Sequence, residues 1–198
     1  MKFGSHVSIA GGIWNAPVNA KAVGGEIFQM FTRSPQGGAA PKLDAEVVKK
    51  FKDAAREHGY DWYVIHAPYY INFASGKATT RASSARVIRE ELERGTALDA
   101  AAVMFHPGSA RDVGRESGIT YVVEGIKKVL KGYRGSCQLL IEISAGAGMV
   151  IGDTFEEIAI ILEQVDEKRL GVCFDTQHAF GSGYDLRTPA GVKSVLDN

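Results

Sequence analysis

The chain has 198 residues, 45% of them apolar and 23% charged, a composition of the ordinary soluble globular class. Its 23 basic and 23 acidic residues cancel, so no global field draws the protein to DNA or to an anionic membrane. Nucleic-acid binding would need a local patch or bound cations. No stretch approaches the roughly 18 apolar residues of a membrane span, and Met1-Lys2-Phe3-Gly4-Ser5-His6 lacks the apolar core of a signal peptide. Cys137 and Cys173 form no paired motif and are expected to be small buried hydrophobes beside strands, in a reducing, cytoplasmic compartment.

In chain order, the apolar run Phe3–Ser8 precedes a helical pattern over Ile13–Val23. The run Ile27–Phe31 precedes a helix over Asp44–His58, with Asp44 as its N-cap. Trp62–His66 leads to Thr80–Leu98, and Ala102–His106 to Ile119–Lys131, where Val122, Ile126 and Val129 share one helical face. Leu139–Glu142 leads to Thr154–Gln164, with Thr154 and Glu157 spaced as a capping box. Gly171–Asp175 precedes a final helix over Thr188–Leu196. Six strand–helix units in series imply a parallel sheet covered by helices.

Polar residues at the strand ends choose between an open sheet and a barrel. Four runs carry His66, His106, Glu142 or Asp175 at the C-terminal end. Barrel enzymes assemble their sites at that face from several strands, whereas an open sheet uses one crevice. The expectation is a TIM-type (β/α)₈ barrel, with the 198 residues forming one incomplete domain of six units. A complete barrel needs about 250 residues.

Of the five histidines, His58 sits at a helix end beside Gly59 and reads as a favourable C-terminal charge. His6, His66, His106 and His178 fall at strand ends or in the loops just after them. Imidazoles mixed with carboxylates on one face are the ligand set of zinc and similar divalent ions. Such ions activate water and neutralise phosphodiester charge, supplying the positive charge that a neutral chain lacks. Gly146 and Gly148 lack a full phosphate-binding glycine motif and read as close backbone packing.

Several blocks resemble the endonuclease IV family. They are Gly-Ser-His6-Val-Ser-x-Ala-Gly-Gly, Phe-His106-Pro-Gly-Ser, Ile-Glu142 with Ala-Gly-x-Gly, and Gly-Val-Cys-Phe-Asp175-Thr-x-His178-Ala-Phe. The resemblance runs from Phe3 to about Pro189. It implies a monomeric (β/α)₈ barrel with three Zn²⁺ ions that cleaves double-stranded DNA 5′ to abasic sites and leaves a 3′-hydroxyl. It places metal ligands at His66, His106, Glu142, Asp175 and His178. His66, His106 and Glu142 would hold one ion. Glu142 would bridge to a second ion shared by Asp175 and would orient the nucleophile, which makes it the expected catalytic residue. His178 would serve the third. Further ligands would belong to strands seven and eight, so these 198 residues alone are expected to show weak or no activity. His6, Arg33, Gln36 and Tyr69 match positions near the DNA.

Three positions depart from the family pattern. Gly37 and Gly38 stand where the family usually carries bulky or basic residues that wedge into the DNA stack. Ile143 follows Glu142 where the family tends to be polar, so an outer hydrogen bond is expected to be missing. His66-Ala-Pro-Tyr-Tyr matches its motif only in outline. Two other readings fit the strand-end pattern: a sugar isomerase or epimerase barrel using one divalent ion, and a non-catalytic DNA-binding fragment.

Overall fold

A computed structural model describes residues 1–197. Six strands, β1 (Gly4–Val7), β2 (Ile27–Met30), β3 (Tyr63–His66), β4 (Ala102–Phe105), β5 (Gln138–Glu142) and β6 (Leu170–Cys173), form one sheet in sequence order. They alternate with α1 (Asn15–Ala22), α2 (Ala45–Glu57), α3 (Ala78–Leu98), α4 (Arg115–Leu130), α5 (Phe155–Val165), α6 (Thr176–Gly181) and α7 (Pro189–Leu196). Pairing from β1 to β4 is parallel, with His6 beside Gln29 and His66 beside Met104. Strands β3 and β4 are buried at every position, as expected when both sheet faces are covered. The fold is that of a TIM barrel carrying six β/α units.

Local chemistry explains the helix limits. Asp44 caps α2 by accepting the Val47 N–H at 3.0 Å, and Gly59 at φ +79° follows its last turn. Thr188 accepts the Gly191 N–H to start α7, with Pro189 in the first turn. Thr154 caps α5 through the Glu157 N–H at 3.2 Å. The Glu157 carboxylate, which a capping box would turn back on its own helix, instead accepts from the Gly152 N–H at 2.8 Å and from Arg115 at 2.6 Å. Helix α4 begins at Arg115, four positions before the expected Ile119, because Gly114 at φ +82° breaks the chain there. The six-residue α6 was not expected. It places His178 on a helix rather than in a loop.

The described residues fall into two compact units. The first comprises Met1–Tyr70, Arg86–Phe105 and Gly132–Leu139. Its core contains Phe28, Phe51, Ile65, Ile88, Leu92 and Phe105, all fully buried. Phe28 stacks on Tyr63 at 5.0 Å, while Tyr60 and Phe51 meet that pair edge-on. The second comprises Ile71–Ala85, His106–Lys131 and the residues from Leu140 onward. There Val122, Ile126 and Val129 bury the expected face of α4. Gly125 admits Phe73 so closely that a Cβ would lie 2.2 Å from the ring.

A buried ionic network holds the loop after β2. Arg33 is 3% exposed and bonds through Nε to the fully buried Glu91 at 2.5 Å and through Nη2 to Glu90 at 3.0 Å. Thr32 donates to Glu91 at 2.6 Å and receives Arg94 Nε at 2.7 Å. Burial pulls the Arg33 pKa down, and the two carboxylates more than restore it, leaving it above its ordinary value. Removing one partner of a buried pair strands the other charge. Glu91→Ala should therefore lower stability by about 3 kcal/mol, read as a shift of the urea midpoint. An unchanged midpoint would show that the network contributes little. Burial, with Glu91 nearby, pushes the Cys137 thiol up to about 12. Thiolate is scarce below that pH, so Cys137 should resist thiol reagents at about pH 8 until the protein unfolds.

Candidate metal centre

The first unit gathers His6, Phe31, His66 and Tyr69. Phe31 lies 4.4 Å from the His6 ring, 5.5 Å from His66 and 5.3 Å from Tyr69. His66 ends β3, and its Nδ1 donates to the Ala67 carbonyl at 2.6 Å. A carbonyl only accepts, so the proton sits on Nδ1 and leaves Nε2 with a lone pair suited to a ligand. His6 Nδ1 is bonded to Gln29 Oε1 at 2.6 Å. Burial depresses the His6 pKa against the opposing effect of that bond, and His66 depresses it further. A cleft of about 410 Å³ runs along His6–Ala10 and Phe31, Arg33, Ser34 and Pro35. Tyr69 is 68% exposed, Gln36 is exposed, and the residue before it, Pro35, lines the cleft.

Arg33 requires a correction. A guanidinium 3% exposed and committed to Glu90 and Glu91 serves the loop, not a DNA phosphate. Its partner Glu91 lies 58 positions away on α3, which no local pattern discloses. Gly37 and Gly38 have φ of +130° and +97°, with open space around both Cβ positions. A bulky residue would find room there but would need a different backbone.

The second unit brings together His106, Glu142, Asp175 and His178. His106 Nε2 lies 3.7 Å from Glu142 Oε2, and His178 Nδ1 lies 3.4 Å from Glu142 Oε1 and 3.7 Å from Asp175 Oδ2. Candidate ligand atoms of Glu142, Asp175 and His178 all fall within 4.8 Å of one another. Glu142 is 4% exposed, whereas the other three are partly open. Two carboxylates and two imidazoles at this spacing form a nitrogen–oxygen donor set that fits a divalent cation, which would offset the repulsion between the carboxylates.

Each side chain is placed by local structure. Asp175 caps α6 by accepting the His178 N–H at 2.8 Å, which fixes the two residues together. His178 Nδ1 also lies 3.1 Å from the Ile143 carbonyl, so the ring is held between that carbonyl and the two carboxylates. The Ile143 side chain is fully buried and apolar, and only its main-chain carbonyl meets His178. Ser182 Oγ ties the end of α6 to the Ser144 carbonyl at 2.8 Å. Asp185 and Arg187, just before α7, pair with each other at 2.9 Å.

The model of the xylose isomerase-like TIM barrels matches residues 18–196. The chain is 36% identical to probable endonuclease 4 of Halothermothrix orenii, covering 100% of the chain and 72% of that relative. It is 37% identical to probable endonuclease 4 of Akkermansia muciniphila, covering 92% of the chain and 66% of that relative. The crystal structure of endonuclease IV from Thermus thermophilus aligns with a TM-score of 0.86 at 34% identity, over 100% of the chain and 71% of that structure. The chain belongs to the endonuclease IV family. A D-tagatose 3-epimerase-like protein aligns with a TM-score of 0.71 at 19% identity, over 98% of the chain and 72% of that structure, a likeness of fold alone.

In this endonuclease IV family member, Phe31 and Arg115 escaped the sequence reading. Phe31 looked like the last residue of an apolar strand. Arg115 bonds bidentately to Asp153 at 2.9 Å and to Glu157 at 2.6 Å, pinning the start of α4 to the segment before α5. Both acids are largely buried, at 10% and 12% side-chain exposure. Arg115→Ala should lower stability by about 2 kcal/mol, the scale of lost charge-assisted hydrogen bonds, as measured by chemical denaturation. Among the described residues no helix is long and apolar enough to cross a membrane.

Proposed function

We propose that this protein is a zinc-dependent endonuclease that hydrolyses double-stranded DNA on the 5′ side of abasic sites and leaves a 3′-hydroxyl. The observation that carries the reading is the convergence of Glu142, Asp175 and His178 within 4.8 Å, with His106 on Glu142, in a member of the endonuclease IV family. His66, His106 and Glu142 end three neighbouring strands, β3, β4 and β5, or directly follow them. We assign them to the first of three ions, with Asp175 and His178 serving the others. The chemistry supplied there is activation of water and neutralisation of the phosphodiester.

The protein's own groups do the rest. Glu142 is nearly buried and flanked by two imidazoles, so its carboxylate is held in place to orient the attacking water. The Nδ1 proton of His66 is tied to a backbone carbonyl, which leaves Nε2 for ligand duty, and the His178 ring is held by the Ile143 carbonyl and by the start of its helix. We assign His6 and Tyr69 to packing against the extruded sugar or its neighbours, and Gln36 to contact with the DNA. Extrusion costs least where a base is already missing.

The test is incubation of the purified 198-residue chain with a duplex bearing one abasic analogue and with its intact counterpart. Weak, Zn²⁺-dependent incision confined to the abasic strand and stopped by a chelator is the expected result. No incision together with no zinc binding would sink the reading, and aldose–ketose turnover would replace it with a sugar epimerase. Glu142→Gln should weaken zinc binding by more than the roughly 10–100-fold typical of losing an outer hydrogen bond, and should abolish incision.

A further inference from the structure

Asn72, in the loop after β3, is laid against the main chain that follows His106. The Ser109 N–H donates to Asn72 Oδ1 at 3.1 Å, and Asn72 Nδ2 donates to the Ser109 carbonyl at 3.2 Å. One side-chain amide thus pairs with one residue's backbone in both directions, as a peptide does in a ladder. The main chain continues the pairing. The Phe73 N–H donates to the Pro107 carbonyl at 2.9 Å, and the Asn72 N–H donates to Ser84 Oγ at 2.9 Å. Gly108 passes between at φ +102°, where a Cβ would stand 2.3 Å from Asn72 Oδ1 and 2.6 Å from Asn72 Cα.

The other side of the same turn is bound to Met149–Ile151. Ser109 bridges Val150 antiparallel, the Ala110 N–H donates to the Met149 carbonyl at 2.8 Å, and the Ile151 N–H donates to the Gly108 carbonyl at 2.9 Å. That segment is tied in turn to Ser144, two residues past Glu142, through Gly152 and Ile151. Pro107–Ser109 is therefore clamped between Asn72 and the segment anchored beside Glu142.

We propose that Asn72 is a positioning residue for the metal centre. It touches neither ion nor substrate. It fixes the backbone immediately after His106, and so sets where the imidazole stands relative to Glu142. The inference rests on the reading of His106 and Glu142 as ligands. Asn72→Asp removes the donor and turns a carboxylate toward the Ser109 carbonyl, while Asn72→Ser leaves a side chain too short to span Ser109. Ser109→Ala changes nothing in the pairing, which uses only main-chain atoms of that residue.

The experiment measures zinc affinity of the 198-residue chain by competition with a chromophoric chelator, alongside thermal unfolding without metal. Asn72→Asp and Asn72→Ser should weaken zinc binding by about 10–100-fold, and Ser109→Ala should leave it unchanged. Ile126→Ala, a core truncation in the same unit, should lower the melting temperature without moving the affinity, which separates positioning from general stability. In the parent chain, zinc titration should shift the side-chain amide resonances of Asn72, a readout that needs no variant to fold. A folded Asn72 variant with parental affinity, or amide resonances unmoved at zinc saturation, would overturn the proposal. A parent chain that binds no zinc would overturn the ligand assignment and the proposal with it.

Discussion

Backbone pairing between the turn after β4 and the segment after β5 is the constraint on which the second unit's site depends. Gly108 accepts from Ile151, Met149 accepts from Ala110, and Ser144 is bound to Gly152. These bonds join the loop that carries His106 to the loop that follows Glu142. They hold the turn after the His106 imidazole, which stands 3.7 Å from a carboxylate only 4% exposed. Holding such groups together costs desolvation energy. The fixed main chain offsets that cost before any cation arrives, which is preorganisation in its ordinary physical sense.

The same logic recurs in smaller pieces. Asp175 serves as both N-cap and ligand candidate, so the start of α6 positions His178 by the bond that begins the helix. Ser182 and the Ile143 carbonyl hold the far end of that helix and the His178 ring. In the first unit, Glu91 and Arg33 fix the loop after β2, and Phe31 from the neighbouring stretch packs against His6, His66 and Tyr69. Arg33, a charged group that looks suited to DNA, is spent on the scaffold. In a chain of zero formal net charge, the proposed ions would supply the site's positive charge.

Legibility in the sequence followed the range of the interactions. Strands were legible because apolar runs end in His66, His106 and Glu142, and a buried strand shows its polar end clearly. Caps at Asp44, Thr154 and Thr188 were legible or nearly so because their partners lie three residues on. Arg33 was misread because its partner sits on a distant helix, and a lone arginine in a loop looks like a phosphate contact. Half of the expected Thr154–Glu157 box was diverted to Gly152 and Arg115, again by tertiary contacts. Asn72 carries no local signal at all, since its role exists only where the loop after β3 meets the turn after β4.

The most direct measurement of the central claim is an anomalous diffraction map, collected at the zinc edge, from crystals of the chain grown with Zn²⁺. The expected result is a strong peak ligated by His106 and Glu142, with weaker density beside Asp175 and His178. A map with no peak at Glu142, or with zinc only at surface carboxylates, would contradict it.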